Sequence, residues 1–543
     1  MNATSGWVKK TQHTKGQDPL GVQAPCISIY QQLMPGITNV TDRARYYSFY
    51  PWLVWAADQA APSRTVDEFV DWVRRGDCLF SMIAVRHRVT SGDDSLNLHD
   101  GGMIGTQTLR GVVSRLRDDE VLDLTQYSTM EPNDGKRYFQ NRLGGLGQYY
   151  LGTLTELGLM GRFSGVIGFT PAGEDLAVAF DVAVDRDLFV DTLRDGVITN
   201  DRLDALASFC PCCLKDAEDE HGMLVDLFFG PDIPGVPDEV YRRSTLLAHL
   251  DLLDVLGGET AYGERVFRAS TYAGAVPSGE AWSPAGALSE AREGWAAYQA
   301  NELLSYATQT VFWTAWRMLE RSSDLVPDAA TFGAWFSRDT VVRNTAEGLG
   351  SPAFEGALAT ITAQLPALTD LASPDHEINL LSELQSRVAE PDGSDRDRLV
   401  LAARILLSVC ARERGEAPYG RLGFPLDYFR THPINLISLG RLAADEWVGL
   451  SMSEWFGWLA SRWGVEAHLR VALRKLRYQP KDTFHVVPTD NGLKVVAEPT
   501  PVFTTPRFAT TTQVLQDLGA TARTPDGQTT ALTEFGRSLM VAR

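Results

Sequence analysis

Lysine is scarce in this 543-residue chain: eight lysines stand against 42 arginines, and three of the eight lie within the first 15 residues. Positive charge is therefore carried by guanidinium groups, which suit bidentate contacts to phosphate or carboxylate and equally suit a GC-rich genome. Cysteine is sparse too. Six occur, three of them clustered at Cys210, Cys212 and Cys213, which argues against a disulfide framework and for a reducing compartment. No run reaches the ~18 uninterrupted apolar residues of a membrane span, and the polar stretch Met1 to Gly21 lacks the apolar segment of a signal peptide. The expectation is a loose tail on a cytoplasmic protein with no membrane partner. The chain also lacks G-x-x-x-x-G-K-[ST], H-E-x-x-H, G-x-S-x-G and a G-x-G-x-x-G that opens a helix after a strand. That disfavours NTPase, zinc protease, hydrolase and dinucleotide-binding readings together, and it leaves no catalytic residue or cofactor to assign.

What is present is an ordinary globular composition, 44% hydrophobic and 22% charged. At ~100 to 200 residues per domain the length calls for three or four units. The net charge of −19 opposes non-specific binding to nucleic acid, so any such contact must be local. One stretch qualifies: between Arg462 and Lys494 seven basic residues face three acidic ones. Within it Arg470, Arg474 and Arg477 are spaced by four and three, which places three guanidinium groups on one helix face with Lys475 beside them.

A second organising feature is a pattern that occurs twice. The first copy, Tyr138 to Phe180, contains Leu154-Thr155-Glu156-Leu157-Gly158 and then Thr170-Pro171-Ala172-Gly173-Glu174-Asp175-Leu176. The second has Leu515-Gln516-Asp517-Leu518-Gly519 and then Thr533-Glu534-Phe535-Gly536-Arg537-Ser538-Leu539. Each L-x-x-L-G predicts a helix closed by a left-handed glycine, and each Thr predicts the N-cap of the next helix. The 12 and 14 residues between shared Gly and shared Thr leave room for a two-stranded wing. Both copies therefore read as winged-helix-like modules.

Along the rest of the chain, Pro35-Gly36-Ile37-Thr38-Asn39 leads to Arg43, Arg45 and six aromatics between Tyr46 and Trp55, a helix expected to kink or restart at Pro51. So many rings cover too much of a helix for one exposed stripe, so they read as core, which leaves Arg43 and Arg45 as a further candidate for phosphate contact. Val66 to Val73 and Leu79 to His87 read as two short helices, and His99-Asp100 as a loop before the Thr106 helix. Asp134-Gly135-Lys136 has the D-x-K spacing of metal-dependent nucleases, with Asp123 as an upstream carboxylate. Pro132-Asn133-Asp134-Gly135 is, however, a turn sequence. Cys210, Cys212, Cys213 and His221 match zinc in ligand number, but C-x-C-C is not the C-x₂-C hairpin of zinc knuckles, and the expected reading is packed thiols without metal. Trp295 to Trp316 reads as a central scaffold helix. Glu466 to Tyr478 reads as an amphipathic helix before a hairpin that turns at Asp490-Asn491-Gly492.

The fold expected is mainly α and multi-domain: a disordered tail over 1–21, an N-terminal helical domain over 22–135, a winged-helix-like module over 136–200, a central helical domain over 201–465 and a second such module over 466–543. The motif Pro35-Gly36-Ile37-Thr38-Asn39 with the Arg-Tyr-Tyr stretch, Leu143-Gly144-Gly145 before Gln148-Tyr149-Tyr150, the Cys-Pro-Cys-Cys corner and Trp295 to Tyr306 together resemble uncharacterised proteins of bacterial anti-phage defence islands. The resemblance implies an accessory or sensing subunit that acts with other subunits of a defence system. Two winged-helix modules around a helical middle also resemble kleisin-like subunits. The sequence thus points to a non-enzymatic subunit binding duplex DNA or a protein partner, with a metal-dependent nuclease or a pure protein scaffold as the alternatives.

Overall fold

The computed structural model describes residues 12–13, 18–60, 65–93, 95, 98–230, 239–258, 261–412, 427, 429, 432–478, 481–523 and 530–541. The chain is mainly helical, with small two-stranded sheets. It groups into two compact units, each made of two stretches of sequence. A scaffold unit comprises Met1–Gln32 and Arg265–Thr504, and a cassette unit comprises Leu33–Glu264 and Thr505–Arg543. This differs from the five consecutive segments expected. Residues 466–504 belong to the scaffold unit, and the second repeat joins the first because its Asp517 is committed to Arg43 by a buried ion pair.

The scaffold unit is built on the 35-residue helix Ala287–Arg321, buried from Trp295 to Trp316. That buried span carries polar side chains among the apolar ones, and two residues meet the extended segment that follows the hairpin: Gln309 donates to the Val502 carbonyl at 3.0 Å and accepts from the Val502 amide at 3.1 Å, and the Trp313 indole donates to Glu498 at 2.6 Å. The helix Asp395–Ala411 packs alongside. The hairpin pairs Val486–Thr489 with Gly492–Val495 and turns at Asp490-Asn491 as expected. It is preceded by the helix Ala467–Leu476.

In the cassette unit the aromatics of Tyr46–Ala60 form a core. This helix runs through Pro51 as one element, and Tyr46, Tyr47, Phe49, Tyr50 and Trp52 are all fully buried. Phe49 stacks on Phe80 at 3.9 Å, and Trp52 packs against Phe180, Phe189 and Phe209. Each such ring stabilises the fold by ~1.5–3 kcal/mol through burial. The two short helices expected between Val66 and His87 are one helix, Val66–Thr90. Gly76-Asp77 in its middle suggested a break. Asp77 is instead buried and accepts from the Tyr50 hydroxyl at 2.8 Å, the Tyr138 hydroxyl at 2.9 Å and the Gly145 amide at 2.9 Å. Burial pushes its carboxyl up to about 6.

Both repeats fold as helix, hairpin, helix, and their backbone bonding is the same. In the first, the Leu159 amide donates to Leu154 and the Gly158 amide to Thr155, with Gly158 at φ +67°. In the second, Ala520 donates to Leu515 and Gly519 to Gln516, with Gly519 at φ +74°. These paired bonds are the Schellman closure that the shared leucine and glycine require. The hairpins follow, Met160–Phe163 with Val166–Phe169 and Thr521–Arg523 with Thr530–Leu532. Thr170 Oγ1 then caps the Gly173 amide at 3.1 Å and donates back to the Gly158 carbonyl at 2.6 Å; Thr533 caps Gly536 at 2.9 Å and donates to Gly519 at 2.7 Å. The second shared glycine is there for a steric reason. A Cβ on Gly173 would lie 2.0 Å from the Leu159 carbonyl, and one on Gly536 2.2 Å from the Ala520 carbonyl.

Candidate functional site: an exposed arginine face and a histidine–thiol cluster

The first candidate surface lies in the scaffold unit. Ala467–Leu476 is amphipathic, with Ala467, His468, Val471 and Ala472 buried. His468 anchors it as the neutral imidazole: Nδ1 donates to the Pro19 carbonyl at 3.1 Å, while Nε2 accepts from the His485 and Val486 amides at 3.0 and 3.3 Å. Burial pulls its pKa down to about 4. With that face fixed inward, Arg470, Arg474 and Arg477 are exposed, and among the described residues none of the three forms an ion pair. Lys475 differs. It is half-buried, its amine donates to the Asp18 carbonyl at 3.3 Å, and burial lowers its pKa. Leu473, Leu476 and Tyr478 are exposed on the same stretch.

The second arginine pair has another fate. Arg43 and Arg45 are fully buried in the cassette unit. Arg43 holds Asp517 with Nε and Nη2, both at 2.9 Å, and gives its remaining donors to the carbonyls of Leu98, His99 and Gly101. Arg45 holds Glu220 at 3.2 and 2.9 Å, donates to the Ser208 and Cys210 carbonyls and lies over the Phe180 ring. Both groups are fully buried and bonded to the carboxylates and carbonyls of the fold, so the expectation that they contact nucleic acid is corrected. Compared with known proteins, the chain matches no family model, no curated protein and no solved structure.

The cysteine corner is also rearranged relative to expectation. His221 is not part of it; Nε2 donates to the Leu518 carbonyl at 2.9 Å and the ring packs on Phe535. Cys213 lies beside Cys212, Sγ to Sγ 3.7 Å, and its thiol donates to the Ala207 carbonyl at 3.5 Å. Two other histidines stand there instead. His87, from the end of Val66–Thr90, places Nδ1 3.3 Å from Cys212 Sγ, and His99 places Nδ1 3.4 Å from Cys210 Sγ. No local pattern signals this grouping, since His87 and Cys212 are 125 residues apart.

The D-x-K candidate is a turn. Asp134 and Gly135 both have positive φ, Lys136 bonds Gln126, and Asp123 caps the helix Leu124–Ser128. His99-Asp100 makes no dyad either: the Asp100 carboxylate is held by Arg88 at 3.0 Å and Arg110 at 2.6 Å.

Proposed function

We propose that the protein is a non-enzymatic binding subunit of a bacterial multiprotein system, of the anti-phage defence kind its motifs resemble, and that it engages duplex DNA through Arg470, Arg474 and Arg477. The carrying observation is the exposure of these three guanidinium groups on one helix face, without an ion pair among the described residues, in a chain of net charge −19. Arg43 and Arg45 are spent on internal carboxylates, whereas these three exposed groups, spaced on one helix face, supply a local phosphate-binding surface. The repeated helix–hairpin–helix cassettes support a binding role as winged-helix-like modules. A second reading is favoured by one feature: exposed Leu473, Leu476 and Tyr478 beside the arginines suit a protein partner that buries apolar area under a charged rim.

The deciding measurement is binding of the full chain to a random duplex at several salt concentrations. For wild type, log affinity should fall linearly with log salt. In Arg470→Ala/Arg474→Ala/Arg477→Ala the slope should decrease by ~0.9 per phosphate contact removed. Unchanged affinity and slope in a folded variant would defeat the DNA reading and favour the protein partner.

A further inference from the structure

We propose that His87, His99, Cys210 and Cys212 form a tetrahedral structural zinc site in the cassette unit. The four ligand atoms, two imidazole nitrogens and two thiol sulfurs, all lie within 4.8 Å of one another. With Zn–S of ~2.3 Å and Zn–N of ~2.0–2.1 Å, tetrahedral coordination separates S from N by about 3.5 Å. The observed S···N distances of 3.3 and 3.4 Å lie close to that value, and the remaining pairs, all within 4.8 Å, would draw in around the ion. Two nitrogens and two sulfurs select zinc over the hard oxygen-seeking cations, and four protein donors leave no open position for substrate or water. Binding releases the two thiol protons to solvent, and two thiolates neutralise the dication without any change of oxidation state.

The surroundings are built as an outer shell of such a site. Ser91 Oγ lies 3.2 Å from His99 Nε2, an outer-shell partner that can accept the Nε2–H hydrogen bond when Nδ1 ligates. The backbone of each buried ligand is fixed by an arginine: Arg43 donates to the His99 carbonyl at 2.8 Å and Arg45 to the Cys210 carbonyl at 2.6 Å. Those arginines are in turn held by Asp517 and Glu220. Of the adjacent cysteines, Cys212 belongs to the group of four, while Cys213, 3.7 Å from Cys212 Sγ, donates to the Ala207 carbonyl and lies outside it. The ion would thus pin the end of the Val66–Thr90 helix, the His99 loop and the Cys210–Pro211 corner to one another.

The test is elemental analysis of the full chain produced in zinc-supplemented medium and desalted, with Cys212→Ser, His87→Ala and Cys213→Ser alongside. About one zinc per chain in wild type and in Cys213→Ser, with most of it lost from Cys212→Ser and His87→Ala, is the expected result. A wild type holding far less than one zinc overturns the proposal, as does zinc retained by both ligand variants or iron in its place. Because ligand variants can misfold, a second measurement uses wild type alone: after chelation and addition of cobalt(II), thiolate-to-cobalt charge transfer and intense tetrahedral d–d bands are expected. Octahedral cobalt spectra without thiolate bands overturn the proposal independently of the variants.

Discussion

The two cassettes have the same backbone skeleton but are held by different means. Each carries an acid immediately before Leu-Gly, Glu156 in one and Asp517 in the other. Glu156 is exposed and accepts one backbone bond, from the Gly36 amide at 2.8 Å. Asp517 is buried, takes both nitrogens of the Arg43 fork, and also accepts from the Ala44 amide at 3.0 Å. Both acids therefore grip the segment between Pro35 and Arg45, one at each end. Local hydrogen bonds suffice to repeat a motif, whereas the energy each copy contributes depends on whether its acid meets an amide at the surface or a guanidinium in the interior.

Removing the acids should break this comparison most sharply. Asp517→Ala leaves Arg43 buried without its counter-charge and should cost ~3–5 kcal/mol in a denaturant titration. Glu156→Ala should cost under ~1 kcal/mol, because an exposed hydrogen bond is readily replaced by water. Equal losses would show that burial does not distinguish the two copies.

The first copy meets a further buried carboxylate, that of Asp77, which accepts from the Gly145 amide. Its pKa is about 6 in the fold, against an ordinary 3.8. Between those values the native protein keeps a proton that the unfolded chain has lost. The stability contributed by protonated Asp77 is therefore present below pH ~4 and is lost as pH rises through about 6, a change of ~3 kcal/mol. Asp77→Asn should flatten that part of the stability–pH profile, measured by denaturant titration at half-unit steps. A slope that persists unchanged would remove Asp77 as its origin.

Two smaller effects should be shared by both cassettes. Gly173→Ala and Gly536→Ala each push a methyl group onto a backbone carbonyl and should cost ~1–3 kcal/mol through overpacking, seen as a lowered midpoint of unfolding. Thr170→Ala and Thr533→Ala each remove an N-cap and should cost ~1 kcal/mol, much of it restored by serine. Should one member of either pair prove neutral, the skeletons would not be energetically equivalent.

Much of the fold was legible because its signals are local. L-x-x-L-G and T-x-x-G act over four to six residues, the Asp490-Asn491-Gly492 turn over four, and the helix from Trp295 to Trp316 announces itself by a lane of large rings, Trp295, Tyr298, Tyr306, Trp313 and Trp316, at helical spacing. The single helix Val66–Thr90 was not legible, because Gly76-Asp77 reads as a break until Tyr50, Tyr138 and Gly145 are brought to the carboxylate. Of the candidate sites, the exposed register of Arg470, Arg474 and Arg477 followed from helical spacing, but the inward turn of Lys475 toward Asp18 did not.

What the amino-acid sequence determined by itself was thus where the helices of the cassettes stop and start and that one cassette occurs twice, since dihedral preferences and hydrogen bonds between near neighbours decide those. Only the tertiary structure decided which charges and ligands are consumed. Arg43 meets Asp517 across 474 positions of sequence, and Cys212 meets His87 rather than His221. Such pairings depend on which surfaces the packed helices bring together, and a one-dimensional pattern carries no trace of that proximity.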